Sequence, residues 1–395
     1  MGGTEMNEWK KVKLGELYEV HNGLSKGRQF FGSGYPFLTF STVFNNWFLP
    51  EILDSLVQSS DKEREACSIK RGDVFITRTS ETKDELGMSS VALKDYPNAT
   101  YNGFTKRLRP TTDDVIPEYI GYYLRSKKFR GKFMAFSSMT TRASLANDDL
   151  LSMEVEIPEK STQQHIATIL SRYDSLIENY QKQIKLLEEA AQRLYKEWFV
   201  DLHFPGHENT KIVDGVPEGW EKKPVDSIYS IKYGKNLSTK LITADGNYPV
   251  YGANGVIGYF DKVNCNEQVV LITSRGNGSG DVLMTYHRNA FITNNSFIVN
   301  PLDEYNYCQL PFTYQFLKNA NFRSVRTGAA QPQLTNQSIH TVDVVLPHKE
   351  LIVEFCKRTL KSNDVIIHLR NQILLLTEAR DRLLPKLMSG EIVLS

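Results

Sequence analysis

Two stretches of this chain are near-copies of each other. Gln183-Ile184-Lys185-Leu186-Leu187-Glu188-Glu189-Ala190-Ala191-Gln192-Arg193-Leu194 returns as Gln372-Ile373-Leu374-Leu375-Leu376-Thr377-Glu378-Ala379-Arg380-Asp381-Arg382-Leu383, at an offset of 372 − 183 = 189 residues. The same offset lays Ile157-Pro158 on Leu346-Pro347, and Leu145 and Asn147 on Leu334 and Asn336, without a gap. A second match, offset by 220 − 9 = 211 residues, pairs Trp9, Leu14, Leu17, Tyr18, Val20 and Gly23 with Trp220, Val225, Ile228, Tyr229, Ile231 and Gly234. Two offsets mean that each copy holds a block of variable length followed by a block of fixed length. Duplication on this scale constrains the architecture more than any motif, because one scaffold has to be built twice.

The fixed block reads as a long helix. From Ser161 to about residue 200, apolar or aromatic residues recur at Ile166, Leu170, Tyr173, Ile177, Tyr180, Ile184, Leu187, Ala191, Leu194 and Trp198, alternating steps of four and three, which is the seam of a coiled coil. Pro158 followed by Ser161-Thr162-Gln163-Gln164 predicts a capping box at its start, and Pro205-Gly206 closes its far side. Moving 189 residues on gives Phe355, Thr359, Ser362, Ile366, Leu369, Ile373, Leu376, Arg380, Leu383 and Leu387, a seam that is polar at three places and so expected to be looser near its start. At about 1.5 Å per residue such helices are roughly 50–60 Å long, and a single-seam helix of that length needs a partner. The obvious partner is its own duplicate. An intervening globule whose two ends lie close together lets the chain turn back, so the pair is expected to run antiparallel. The residues expected to hold the pair, or to face partners on it, are Ile166, Ile177, Ile184, Leu187, Leu194, Trp198, Ile366, Ile373, Leu376 and Leu383.

A chain of 395 residues is expected to hold two to four domains. The predicted divisions are a first globule (1–156), a helix (157–203), a second globule (204–345) and a second helix (346–395). No apolar run approaches the roughly 20 residues that span a bilayer, and Met1 leads into no basic-then-apolar leader, so a cytoplasmic protein is expected. Cys67, Cys265, Cys308 and Cys356 are scattered without a Cys-x-x-Cys pair, which argues for reduced thiols and against a zinc site. Both globules read as short strands and turns, among them 72–77, 268–273 and 296–299, each globule ending in a helical stretch, from Pro117 to about Met134 and from Pro311 to about Ala320. From Trp9 to Asn147 the first spans 138 positions, and from Trp220 to Asn336 the second spans 116, with interiors mostly unlike. One scaffold with two different surfaces suits a pair of readers for two different half-targets.

Net charge is +1, so any claim on nucleic acid must come from local charge. Arg125, Lys127, Lys128, Arg130 and Lys132 lie among Tyr122, Tyr123 and Phe129, a composition that binds phosphates and stacks on bases, or equally makes a solvated helix face. Phe30-Phe31-Gly32-Ser33-Gly34 matches the spacing of an S-adenosylmethionine loop, but no Asn-Pro-Pro-aromatic tetrapeptide accompanies it. Ser274-Arg275-Gly276-Asn277-Gly278-Ser279-Gly280 resembles a phosphate-cradling loop, yet no Gly-Lys pair is followed by Ser or Thr, so a flexible hairpin is the expectation. Such a hairpin can still offer Arg275 to guanine and Asn277 to adenine, with Thr77-Arg78-Thr79-Ser80 as its counterpart in the first globule. His203 and His207 have a metal-like spacing with no supporting ligands, and no nucleophile-base or nuclease pattern is found. The sequence points away from chemistry performed by this chain.

Three phrases carry a family resemblance: 196–205 (Lys-Glu-Trp-Phe-Val-Asp-Leu-His-Phe-Pro), Val216-Pro217-Glu218-Gly219-Trp220, and 383–392 (Leu-Leu-Pro-Lys-Leu-Met-Ser-Gly-Glu-Ile), with Asn294-Asn295-Ser296 beside them. Over essentially its whole length the chain resembles a specificity subunit of a type I restriction-modification system. The resemblance implies an α+β fold with a pseudo-twofold repeat, in which two mixed α/β target-recognition domains are separated by an antiparallel coiled coil of two long helices conserved in the family. It implies a non-catalytic protein that binds double-stranded DNA together with two adenine-methylating modification subunits and ATP-driven restriction subunits. S-adenosylmethionine, Mg and ATP would then belong to those partners, with no cofactor or metal in this chain and no membrane. Candidate DNA contacts are Lys26, Arg28, Arg78, Thr79, Lys106 and Arg107 in the first globule, and Arg275, Asn277, Asn294, Asn295, Arg323 and Arg326 in the second. Each globule would read part of an asymmetric bipartite site, with the helices as a ruler between groove faces that recur every ~34–36 Å. A pure assembly scaffold and a self-contained methyltransferase or nuclease are the alternatives; the last needs a cofactor loop that is not found.

Overall fold

In the computed structural model, residues 9–80, 86–136, 143–144, 146–328 and 331–392 are described. The chain divides into two compact units, Met1–Ile177 with Leu374–Ser395, and Glu178–Ile373. Each unit therefore combines one globule with a part of each long helix.

In the first unit a four-stranded antiparallel sheet has the order Tyr18–Asn22, Thr105–Pro110, Val74–Thr77, Ser89–Val91. The unbroken apolar run at Val74–Thr77 suits a strand covered on both faces. Val74 and Ile76 point into a core with Leu108, Tyr119, Tyr122, Tyr123 and Phe133. Phe75, between them, points the other way into a smaller core with Leu38, Val43 and Tyr101. That smaller core lies beside a three-stranded sheet of Leu56–Val57, Phe31–Leu38 and Thr100–Tyr101, the last pair being parallel.

The second unit repeats this topology. Its four-stranded sheet has the order Tyr229–Tyr233, Ser296–Pro301, Val270–Thr273, Val282–Met284, and its three-stranded sheet the order Gly255–Phe260, Tyr248–Gly252, Phe291–Ile292, again with one parallel pair. Val270 and Ile272 face one core and Leu271 the other, as in the first unit.

Each globule is closed by its own ends. Lys10–Lys13 pairs antiparallel with Glu154–Ile157, and Glu221–Pro224 with Asp343–Leu346. The first long helix, Lys160–Tyr195, then continues into a π-helical turn, Lys196–Val200; the second runs Lys349–Ser389. The expected capping box at Ser161 is not what starts the first helix. Gln163 is buried, with its side chain accepting from the Ile116 N–H and donating to the Asp114 and Pro158 carbonyls, each at 2.9 Å, so it fastens a loop of the globule to the helix.

Every seam position expected on either helix is buried or half-buried. In the first unit Ile166, Ala167 and Leu170 share a core with Leu384, Leu387 and Met388, and Asp174 pairs with Arg380. In the second unit Ile184 packs with Ile366 and Leu369, with Leu187 and Ile373 alongside, Glu188 pairs with Arg370, and Tyr195 and Trp198 pack on Phe355. Within each unit rising numbers on one helix meet falling numbers on the other, so the two run antiparallel. Two of the polar seam positions have partners: Arg380 has Asp174, and the buried Thr359 hydroxyl donates to the Phe355 carbonyl at 2.9 Å, one turn back.

Candidate nucleic-acid interface

Similar loops meet at one end of the four-stranded sheet in each unit, and a glycine sets how closely they meet. A Cβ on Gly23 would run into the Asn102 carbonyl oxygen, and one on Gly234 into the Thr293 carbonyl, with the Ile292 carbonyl only 2.5 Å away. Backbone passes against backbone at both places, which only glycine permits. In the first unit the Leu24 N–H donates to the Tyr101 carbonyl (2.8 Å), the Gly103 N–H to Leu24 (2.9 Å) and the Arg78 N–H to Phe104 (3.0 Å). In the second, Lys235 N–H donates to Ile292 (2.9 Å), Asn294 N–H to Lys235 (3.0 Å) and Ser274 N–H to Asn295 (2.8 Å).

The glycine-rich loop after Thr273 is braced rather than a loose hairpin. Its stem is tied by the Gly280 N–H to Thr273 and the Thr273 N–H to Asp281, both 2.8 Å, while the Gly276 N–H reaches the Pro332 carbonyl (2.9 Å) and the Leu334 N–H returns to Ser274 (2.7 Å). Arg275 and Asn277 are exposed on this frame. Arg323 lies beside them, its Nε and one terminal nitrogen donating to the same Asp281 oxygen at 3.0 and 2.5 Å. Arg326 donates to the Arg323 carbonyl (3.1 Å) and the Asn277 carbonyl (3.3 Å). Asn294 and Asn295 are half-buried, and their carbonyls take the hydroxyl and the N–H of Ser274. All six candidates of the second globule therefore share one end of the sheet.

The first globule is less uniform. Arg78 is half-buried and donates to the Asn22 side chain at 3.3 Å, and Arg28 is exposed. Lys26 is spent internally, donating to the Gln58 carbonyl and pairing with Glu63 at 2.8 Å, with the Phe30 ring beneath it. The Lys26 ammonium and the Ser60 N–H hold the Glu63 carboxyl down to about 2. Thr79 lies in a short strand paired with Ala143–Ser144; its side chain falls outside the described residues.

Lys106 and Arg107 leave the candidate surface, because their strand runs inside the sheet. Lys106 is 4% exposed and donates to the Asn147 side chain, and burial, with Arg78 nearby, lowers its pKa. Arg107 is 2% exposed and donates to the Ser68 carbonyl at 2.7 Å. The basic and aromatic cluster around 125–132 is divided: Lys127 and Lys128 are exposed, Lys128 and Lys132 pairing with Glu156, while its aromatics and Arg125 turn inward. Tyr122, Tyr123 and Phe129 are core, and Arg125 donates to the carbonyls of Val43, Phe44, Asn46 and Ser89. Burial lowers the Arg125 pKa to about 10. In their place the structure exposes Phe30, Phe31 and Phe104, the last at 60%, beside Arg28 and Arg78. The glycines flanking these aromatics were the available signal.

Among the described residues no group of metal-ligating side chains is found, and no helix is long and apolar enough to cross a membrane. The His203 and His207 rings lie 5.5 Å apart and tilted by 55°, with His207 Nδ1 2.9 Å from the Phe204 carbonyl.

A fold copied twice onto an antiparallel helix pair, with unlike loop sets at corresponding sheet ends, defines a paired recognition protein. The family model "Type I restriction modification DNA specificity domain" matches residues 6–189 and 217–375, and the chain belongs to that family, as the non-catalytic specificity subunit of a restriction-modification system. It is 26% identical to the specificity subunit of the type I restriction enzyme MjaIX of Methanocaldococcus jannaschii, over 99% of this chain and 95% of that one. To the HindI specificity subunit of Haemophilus influenzae it is 23% identical, over 98% and 100%. The crystal structure of the type I S subunit from M. genitalium shares the fold, with a TM-score of 0.59 at 17% identity over 98% of both chains. The family recognises DNA sequence and works with methylase and restriction subunits.

Proposed function

We propose that the two globules read the two parts of an asymmetric, bipartite site in double-stranded DNA, and that the helix pair sets the gap between them while serving as the platform for two modification subunits and the restriction subunits. The observation that carries this reading is the repeated loop arrangement with unrelated contents. One sheet end presents Arg78 and Phe104, with Arg28 exposed on the loop that leaves it; the matching end in the other copy presents Arg275, Asn277, Asn294 and Arg323. Arginine and asparagine can make paired hydrogen bonds to guanine and adenine edges, and neighbouring cations set register on phosphates. S-adenosylmethionine, Mg and ATP belong to the partner subunits in this reading. The residues of this chain supply recognition and spacing.

The test is methylation mapping with the assembled complex, followed by removal of one helical turn from both long helices. The expected result is adenine methylation in two half-sites separated by unread base pairs, with a changed gap in the shortened protein. An unchanged gap refutes the ruler. DNA binding without steep salt dependence refutes phosphate contact, and favours an assembly scaffold instead.

A further inference from the structure

Each unit contains one arginine on the second long helix that bonds to a carboxylate of the first long helix and lies over an aromatic ring of the globule. In the second unit the Arg370 guanidinium sits 3.6 Å from the Tyr286 ring centre and donates to Glu188 at 2.9 Å; the Tyr286 hydroxyl reaches the same carboxylate oxygen at 3.4 Å. In the first unit Arg380 donates to Asp174 at 2.7 Å and lies 5.0 Å from the Trp47 ring centre; the Tyr122 hydroxyl donates to the other Asp174 oxygen at 2.5 Å. Burial foremost pushes both phenol pKa values up, so both hydroxyls stay protonated as donors.

These trios are not inherited from the duplication. The residue 189 positions before Arg370 is Gln181, and before Arg380 it is Ala191; the positions 189 after Asp174 and Glu188 are Asn363 and Thr377. In helices otherwise copied from one another, a carboxylate and an arginine have been paired twice from non-equivalent positions, each time against an aromatic ring of the globule, Tyr286 in one unit and Trp47 in the other. Neither helix needs this for its seam, where alanine serves at Ala191. A guanidinium bonded to one helix, carried on the other and stacked on the globule links three bodies at one point, and so restrains rotation of the globule about the helices. In the second unit this point is well removed from the aromatic joint of Tyr195, Trp198, Phe199 and Phe312 around Phe355. Fifteen helix positions, roughly 22 Å, separate Phe355 from Arg370. Two attachment points fix an angle that one leaves free.

We propose that Arg370 and Arg380 are positioning residues that fix the angle of each globule on the helix pair, and thereby the half-site spacing the protein accepts. The proposal rests on the bipartite reading above. The experiment uses the full chain assembled with its modification subunits, and measures methyl transfer to duplexes carrying the native spacer and spacers one base pair longer and shorter. Arg370→Ala and Arg380→Ala are expected to lower the preference for the native spacer by about three- to tenfold, the size of a lost ion pair plus a lost cation–π contact. Arg370→Lys should fall between, keeping charge but losing the planar stack. Tyr286→Leu keeps an apolar side chain without the ring, and is expected to relax spacing in the same way even if Arg370→Ala folds poorly. Equal loss on all three duplexes, or no loss, overturns the proposal, since a merely structural role has no reason to distinguish spacers. A wild-type assembly indifferent to spacing overturns the bipartite reading itself, and the proposal with it.

Discussion

Replacing Gly234 by alanine tests whether the loop crossing built around it is what holds the candidate interface in shape. The added Cβ would overlap the Thr293 carbonyl and approach the Ile292 carbonyl to 2.5 Å, and both obstacles are backbone. The crossing therefore has to open, which endangers the bonds from Lys235 N–H to Ile292 and from Asn294 N–H to Lys235. Overpacking costs about 1–3 kcal/mol, and a lost buried hydrogen bond about 1 more. A local loss of roughly 2–4 kcal/mol follows, which lowers amide protection by roughly 30- to 1,000-fold. Hydrogen exchange followed by mass spectrometry reads this directly: peptides covering 230–236 and 290–297 should exchange faster, while those of the first globule keep their rates. Gly131→Ala is the control of opposite sign. A Cβ there meets nothing within 4 Å, inside the helix Lys127–Phe136, so it should stabilise by about 0.5–1 kcal/mol. Equal and small effects for the two substitutions would refute the close-approach argument.

Arg275→Ala should weaken binding to the cognate duplex by about 1–3 kcal/mol if it reads a base, with the discrimination confined to one position, whereas Lys106→Met should leave the salt slope of binding unchanged because its ammonium is internal. Cys308, whose pKa burial raises to about 12, and Cys356, raised by the same cause, should resist alkylation in the native protein, and Cys265, the one cysteine not buried, should react first; labelling of Cys308 ahead of Cys265 contradicts the packing. The Glu63 carboxyl titrates near 2 instead of 4.5, so its contact with Lys26 is complete above about pH 4.5 and is lost as pH falls toward 2. Acid titration of the Glu63 carboxyl by NMR should show this low midpoint, and Lys26→Met should return it upward.

The helices were legible because a seam repeats at steps of three and four whatever lies at either end, and burial follows it at every position from Ile166 to Trp198 and from Phe355 to Leu387. Strands such as Val74–Thr77 and Val270–Thr273 were legible for a similar local reason. What could not be read was sheet order. Thr105–Pro110 becomes an inner strand only because Tyr18–Asn22 and Val74–Thr77 flank it, and that placement turns Lys106 and Arg107 from surface cations into internal ones. Arg125 misled in the same way, since the carbonyls that hold it come from Val43, Phe44, Asn46 and Ser89, all distant in sequence. Gln163 reads in sequence as part of a local cap, and in the fold it serves a loop some fifty residues earlier. The second globule was read better because its polar candidates lie in glycine- and asparagine-rich turns, which sheet order leaves outside.

The short strand pairs that join the two ends of each globule, Lys10↔Ile157 in one and Glu221↔Leu346 in the other, have an evolutionary corollary. A cassette whose termini are stapled together presents the same joint to its mount whatever its interior, which is why one copy can be shorter by some twenty residues without disturbing the mount. Exchange of the second cassette, which lies between the two copied helices, would therefore change its loop set and leave the mount intact.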